Sequence, residues 1–544
     1  MMKAFLFCLF STLLGTAVAW GQPPNPPPNP PLDDPFDDPR AASGLGDAGE
    51  VLTRGPIHEA FAGTVAFDPG PGILAPKPPP EPIEELPPQH KPEGDNVVWI
   101  PGYWAWDEER DDFLWISGIW RNLPPGRQWV PGYWSRARDG VQWTSGYWAD
   151  AEARERDYLP EPPESVESGP NVEAPSAEHT WLPGSWIWQQ NRYAWRPGFW
   201  TPSYANWLWT PAHYQWTPRG YVFVDGYWDH AVSRRGLLFA PVRFDQSVYS
   251  RRGFSYTPST VIRIGQLASQ LFLRPNYGHY YYGDYYGTNY TSAGYYPSYS
   301  FHSSRSGYDP IYSHQRWQHR QDSGWERRVQ EEFQYRRDHD EARPPRTFSA
   351  QQELLKRGRT DRDRQRVFAQ PFDEFRTRQD SSVQFQNLND EDRRKFSQRG
   401  QEVRSFREQR QKLEAESRES TAEQPAETRE PARLPFPRSP VVGKRGNDGD
   451  KEGRVPKTQA FPRPDPKVVP KPRQDRRRPG AGNPNVTTPQ PGGKAPGKGN
   501  DKSPGKAPGK APGKGNDEAG RNPQGKAAGK PTEAAPEPQP EVKD

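Results

Sequence analysis

Between residues 97 and 230 one six-residue unit, Trp-x-x-Gly-x-Trp, recurs, and it limits what this chain can fold into more than any other feature. Six copies are intact: Trp99–Gly102–Trp104, Trp115–Gly118–Trp120, Trp129–Gly132–Trp134, Trp143–Gly146–Trp148, Trp181–Gly184–Trp186 and Trp195–Gly198–Trp200. Two altered copies follow, one opening on Trp209 with Ala212 and Tyr214 in the later seats, the other running Phe223–Gly226–Trp228. The starts lie 16, 14 and 14 residues apart, then 38, then 14, 14 and 14, which makes two blocks of four. Of 21 Trp, 18 fall between 99 and 228, nine in each block, so any fold here must place indoles in bulk.

Aromatic segments of about ten residues separated by polar turns read as strands joined by hairpins. Asp139-Gly140 is the strongest hairpin dipeptide. A 14-residue period holds one strand and one turn, so the expected fold class is mainly β, with each block an antiparallel four-stranded meander. In a regular strand two Trp five positions apart face opposite sides. A β-bulge at Pro131-Gly132 and its equivalents would bring Trp129 and Trp134 to one face, and that bulge is the expectation here. The indoles then serve as core, as a glycan-stacking face or as membrane-interface anchors. The Tyr before the last Trp (Tyr103, Tyr133, Tyr147 and Tyr227) would form the other face and are the candidate ligand-stacking residues.

The units resemble the WXXGXW (YXWGXW) repeat family of exported bacterial proteins over about residues 97–230. The resemblance implies a secreted, Trp-rich β repeat and carries over no catalytic residue.

Export is also legible by itself. Lys3 precedes an apolar run, Ala4 to Val18, that ends in Ala17-Val18-Ala19, the pattern of a secretory signal peptide over residues 1–19. The run is short for a membrane span, and no second one appears, so no transmembrane span is expected after cleavage. Cys8, the only cysteine, sits inside it, which leaves no disulfide and no thiolate metal site in the remainder.

The remaining segments divide by composition. Residues 20–96 are Pro-rich and extended, 97–150 and 181–230 are the two repeat blocks, and 151–180 is an acidic linker between them. Residues 231–275 read as additional strands, and 276–314 as a low-complexity spacer with ten Tyr between Tyr277 and Ser300. Residues 315–420 read as a charged helical segment, in which Asn389 and Asp392 make a cap. Phe396, Val403, Phe406 and Leu413 then take heptad seats, pointing to self-association through residues 390–417. Residues 421–544, rich in Pro, Gly and Lys, read as a disordered cationic tail. Residues 1–180 hold 12 Lys/Arg against 28 Asp/Glu while the rest holds 61 against 41, so the back half suits an anionic envelope polymer or glycan. Export argues against nucleic acid as the partner.

Motifs for chemistry are weak. Gly492, Gly497 and Lys498 imitate a phosphate loop, but Gly499 stands where Ser or Thr is required. The turn carrying Asp107, Glu108, Glu109, Asp111 and Asp112 lacks the glycine and spacing of a calcium loop. The expectation is a non-enzymatic, exported cell-envelope protein (periplasmic or secreted) without cofactor or metal, the alternative being a glycan- or peptidoglycan-binding module.

Overall fold

The computed structural model describes residues 49–471 except 268–269, 304–305, 358–359, 379–382, 422–429, 445–454 and 458–460. The signal-like residues 1–19, the phosphate-loop imitation at 492–499 and most of the cationic tail lie outside the described residues.

Each repeat unit straddles two strands. The first strand ends just before the Pro-Gly or Ser-Gly pair (Pro211-Ala212 and Asp225-Gly226 in the last two units) and the second opens just after it. β1 (Val97–Ile100) and β2 (Tyr103–Asp107) carry the first unit, β3 (Asp112–Ile116) and β4 (Ile119–Asn122) the second. β2 pairs with β3 and β1 with β4, so two units fold back on each other as one long hairpin, A, with Trp99 opposite Trp120 and Trp104 opposite Trp115. Hairpin B repeats this with β5 (Arg127–Val130), β6 (Tyr133–Ala137), β7 (Gly140–Thr144) and β8 (Tyr147–Asp150). Hairpin C uses β9 (His179–Leu182), β10 (Ser185–Gln189), β11 (Arg192–Arg196) and β12 (Phe199–Pro202). Hairpin D uses β13 (Trp207–Thr210), β14 (His213–Thr217), β15 (Gly220–Val224) and β16 (Tyr227–His230). The tip of hairpin C suits a tight turn: its two loop residues, Gln190 and Asn191, both have positive φ, as a two-residue hairpin of right-handed twist requires, and in hairpin B Gly140 takes the positive φ (141°) just after the Arg138-Asp139 loop.

The mainly β, antiparallel class holds, and the register refines it. Units pair first with second and third with fourth. The outer edges are taken by strands from elsewhere: β17 (Gly236–Phe239) on β4, β18 (Val242–Phe244) on β3 and Leu74–Ala75 on β7. Each block is therefore two hairpins rather than one continuous meander, and those of the first block, A and B, gain flanking strands while C and D remain two-stranded.

The expected bulge is overturned. In hairpin B the pairs Val130–Tyr147 and Tyr133–Thr144 bracket the break, so two residues are skipped on each strand and the register carries through. A bulge would add a residue to one strand only. With parity kept, Trp129 and Trp134 face opposite sides, and they join different hydrophobic clusters. The same holds in hairpin A, where Trp99 and Trp104 are in separate clusters. Indoles thus supply core on both faces of each hairpin. Of the 18 Trp between 99 and 228, 13 are buried, five are half-buried and none is exposed.

Two further segments are more ordered than their composition suggests. Tyr277, Tyr280, Tyr281, Tyr282, Tyr285 and Tyr286 are at most 6% exposed, packed around β20 (Leu271–Arg274) and β21 (His279–Tyr282), which β19 (Thr260–Ile262) precedes. The tyrosine-rich stretch is core, not spacer. Ala432–Pro435 pairs with Glu155–Tyr158, and Phe436 and Val441 are buried, so part of the expected tail is structured.

Helices α1 (Pro310–Gln318), α2 (Trp325–Asp338) and α3 (Asp390–Thr421) come late in the chain. The Asn389 cap is present, its Oδ1 accepting the Asp392 N–H at 2.8 Å. The heptad seats of α3 are filled from within: Phe396 packs edge-on to Trp120 at 5.0 Å, and Val403, Phe406 and Leu413 join the main core. These side chains are not a seam for a second copy. The expected self-association through residues 390–417 loses its apolar stripe for that reason.

Candidate functional site

The repeat glycines are dictated by close approach. At Gly132 an added Cβ would sit 2.4 Å from Trp143 Cζ2 and 2.8 Å from the Thr144 carbonyl oxygen; at Gly146 it would meet Trp129 Cζ2 at 2.6 Å. The first Trp of each unit therefore lies over the glycine of the unit it pairs with. Trp99 and Trp115 do the same to Gly118 and Gly102, and Trp209 to Gly226. Hairpin D shows the rule by its exception. Where Ala212 replaces glycine, the seat that would cover it holds the smaller Phe223 instead of Trp.

Three of the four hairpins carry a glutamate on the break. Glu85 Oε2 accepts the Gly102 N–H at 2.7 Å, its Oε1 accepts the Gly118 N–H at 2.9 Å, and the Trp115 indole N–H reaches Oε1 at 3.1 Å. Glu59 holds hairpin B the same way, taking the Gly146 N–H at 2.9 Å and the Trp143 indole N–H at 3.1 Å. In hairpin C, Glu167 accepts from the Gly184 N–H and from the Trp181 indole at 3.2 Å. These peptide groups lose their ladder partners at the break, and a carboxyl group supplies the acceptors.

Burial acts against those donors. It pushes the Glu59 carboxyl up to about 8 and Glu85 up to about 7, although the glycine N–H groups and the indoles pull both down. Around Glu59 the side chains of His58, Tyr103 and His279 close a network: Tyr103 Oη accepts the Glu59 N–H at 3.1 Å and lies 2.8 Å from His279 Nε2. Burial holds both imidazoles neutral, near 3. The set has acid–base groups, but none is more than 4% exposed, so it braces hairpin B and offers no reaction site.

The acidic turn of hairpin A is bound by cations of the chain itself. Glu108 pairs with Arg274 at 2.6 Å, Glu109 with Arg54 at 2.7 Å and Asp112 with Lys77 at 2.8 Å.

One cleft of about 670 Å³ opens beside hairpin C. Its first wall is Trp181 and Trp200, edge-to-face at 5.5 Å; its second is the end of α1 and the start of α2, with Trp317 and Trp325. All four indoles are half-buried. Arg320 spans the rim to Glu178 at 2.7 Å, and Arg316 pairs with Glu326 at 3.2 Å.

A scan against family models matches the WXXGXW repeat, as a two-copy model, at residues 94–121, 179–201 and 205–228. The chain carries WXXGXW repeats. No curated protein and no solved structure matches it. The two-copy unit coincides with the physical one, since the three matches fall on hairpins A, C and D. Hairpin B, outside the matched residues, has the same WXXGXW geometry.

The tyrosines expected to stack ligands are inside. Tyr103, Tyr133, Tyr147 and Tyr227 are 4, 1, 4 and 9% exposed, which corrects their assignment as a binding face. Tyr103 stacks on Trp143 at 5.3 Å. The Arg410 guanidinium lies over both Tyr133 and Tyr147 at 5.1 Å, and that of Arg127 over Tyr227 at 4.7 Å. Arg410 also donates to the Pro131 and Ser145 carbonyls at 2.8 and 3.1 Å, so α3 engages the break of hairpin B through its carbonyls as Glu59 does through an N–H. Its charge is balanced by Glu414, fully buried at 3.1 Å and taking the Tyr133 hydroxyl at 2.7 Å.

Glu59, Glu85, Glu167, Arg410 and Glu414 thus escaped sequence reasoning. Two of them had a signal. Glu85 stands 14 residues before Trp99 and Glu167 stands 14 before Trp181, each inside a Pro-rich acidic stretch that reads as linker.

Proposed function

We infer that this is a non-enzymatic, exported cell-envelope protein whose WXXGXW hairpins build a rigid scaffold and whose cationic C-terminal segment engages anionic envelope material. One observation carries the reading: 13 of the 18 Trp between 99 and 228, the tyrosines Tyr103, Tyr133, Tyr147 and Tyr227, and the carboxyls of Glu59 and Glu85 are spent on contacts within the fold. Among the repeat indoles, Trp181 and Trp200 stay accessible in the cleft beside hairpin C. The signal-like residues 1–19 and a remainder without cysteine support export, and among the described residues no helix is long and apolar enough to cross a membrane. The sequence beyond residue 476 supplies clustered Lys with Gly and Pro, suited to diffuse charge attraction.

The test is retention of the full chain on purified peptidoglycan, against a chain ending at Arg476. The expected result is retention that weakens with added salt and falls sharply on truncation. Retention that ignores both overturns the charge mechanism, and a chain found uncleaved in the cytosol overturns export.

A further inference from the structure

Seven of the 20 Trp in the described residues are half-buried, and four of these seven converge on one cleft between hairpin C and helices α1 and α2. Elsewhere the fold covers all but three of its described indoles, Trp134, Trp188 and Trp216 being half-buried. Hairpin A is covered by β17 and by α3, whose Phe396 packs on Trp120. Hairpin C has no such cover on its Trp181 and Trp200 pair, and what faces them across the cleft is another pair of indoles.

The walls are held in place by contacts that do not depend on an occupant. The Trp181 N–H is fixed by Glu167 and the Trp200 N–H by the Val172 carbonyl at 3.0 Å. Trp325 stacks on His319 at 4.9 Å with ring planes 10° apart. The Arg320 guanidinium lies 4.6 Å from the Trp317 ring and reaches Glu178 on the opposite wall. The rim charges are therefore mutually paired, so the cleft shows aromatic surface and hydrogen-bonding groups without a large net charge. Two of its lining residues also have unused polar atoms: Trp317 Nε1 and His302 Nδ1 are buried and make no hydrogen bond among the described residues.

From this combination we propose that the cleft is a saccharide site, taking a short segment of an uncharged, pyranose-based glycan. Pyranose C–H faces pack against indoles, their hydroxyls bond to the Arg, Glu and His groups at the rim, and the volume lies within the range of ligand clefts. A strongly anionic ligand would have to break the Arg320–Glu178 and Arg316–Glu326 pairs to find its cations. A purely apolar one would bury those charges. The proposal deepens the interaction reading above by naming a ligand class, and the site is remote in sequence from the cationic segment.

Calorimetric titration of the full chain with two uncharged β-1,4-linked tetrasaccharides, one of glucose and one of N-acetylglucosamine, tests it. At least one should bind, with the stronger arm giving the preferred sugar. Trp317→Ala should weaken that binding about tenfold or more, Trp317→Phe should restore most of it, and Trp216→Phe, at a half-buried indole outside the cleft, should leave it unchanged. Absence of binding in both arms, or binding indifferent to Trp317→Ala, overturns the proposal. If both arms fail while peptidoglycan still retains the full chain and not the truncated one, the saccharide site falls and the charge mechanism stands.

Discussion

Hairpins A and C are built from the same parts. Each joins two WXXGXW units through a shared register, lays the first Trp of one unit over the glycine of the other, and receives a glutamate from 14 residues upstream. They differ in what surrounds them. Trp99, Trp104, Trp115 and Trp120 are at most 4% exposed, whereas Trp181 and Trp200 remain half-buried and line a cleft. The repeat therefore specifies a hairpin and says nothing about its exposure. Flanking strands and α3 decide that, which is why one motif serves as core in one place and as a cleft wall in another.

The sharpest way to break this comparison is at the glycines. In Gly118→Ala the new methyl would sit 2.5 Å from both Glu85 Oε2 and Trp99 Cζ2 in a fully packed hairpin. The expected cost is about 4 kcal/mol or more, with loss of the cooperative thermal transition. Gly198→Ala makes a similar clash with Trp181 Cζ2 at 2.5 Å and one with the Leu182 carbonyl oxygen at 2.6 Å, of which the half-buried indole can yield by moving. Its cost should be about half as large and confined to near-ultraviolet dichroism from hairpin C. Equal effects would mean that the surroundings do not matter.

The glutamates come next. Glu85→Gln turns an acceptor toward N–H groups into a donor and leaves a buried peptide N–H unmatched, worth about 3 kcal/mol in denaturant unfolding. Glu167→Gln should cost about 1 kcal/mol, since hairpin C has access to water. The raised carboxyls also set a pH profile. Glu59 and Glu85, with folded values near 8 and 7 against 4.5 unfolded, contribute stability that is lost as pH rises from 4.5 to about 8. His58 and His279, depressed to about 3 from 6.5, contribute stability that is lost as pH falls from 6.5 to 3. The two trends cross near pH 6.5. Between there and pH 8 the share contributed by Glu59 and Glu85 should fall by roughly 2 kcal/mol, most of it from Glu59, while His213, His230 and His302, lowered to about 4, act in the opposite direction. The comparison with Glu59→Gln isolates the carboxyl, and a wild-type profile with the same slope as that variant over pH 6.5–8 would refute the assignment.

These residues also mark where sequence reasoning stopped. The phase of the repeat, the Asp139-Gly140 turn and the Asn389 cap were legible because each is local. The break was misread as a bulge because pleat parity depends on the partner strand: Pro131-Gly132 becomes a symmetric interruption only when Ser145-Gly146 lies opposite. The tyrosine stretch looks like spacer because its burial comes from distant neighbours such as Arg54, 4.3 Å from the Tyr285 ring and more than two hundred residues away in sequence. The cleft was invisible for the same reason, as its walls lie more than a hundred residues apart.

The smallest expected effect tests the rule that generates the hairpins. In hairpin D, Ala212 and Phe223 occupy the seats that elsewhere hold Gly and Trp. If the first-seat ring and the facing Cβ compete for one space, Phe223→Trp alone should overpack the break and cost about 1–2 kcal/mol. Ala212→Gly alone should cost about 1 kcal/mol, through chain entropy and the gap it opens. Together they rebuild the pair found in hairpins A to C, so the double variant should recover most of both losses, a coupling of at least 1 kcal/mol in a double-mutant cycle. Additive costs would show that the two substitutions arose independently, and the steric account of the glycine would then rest on hairpins A to C alone.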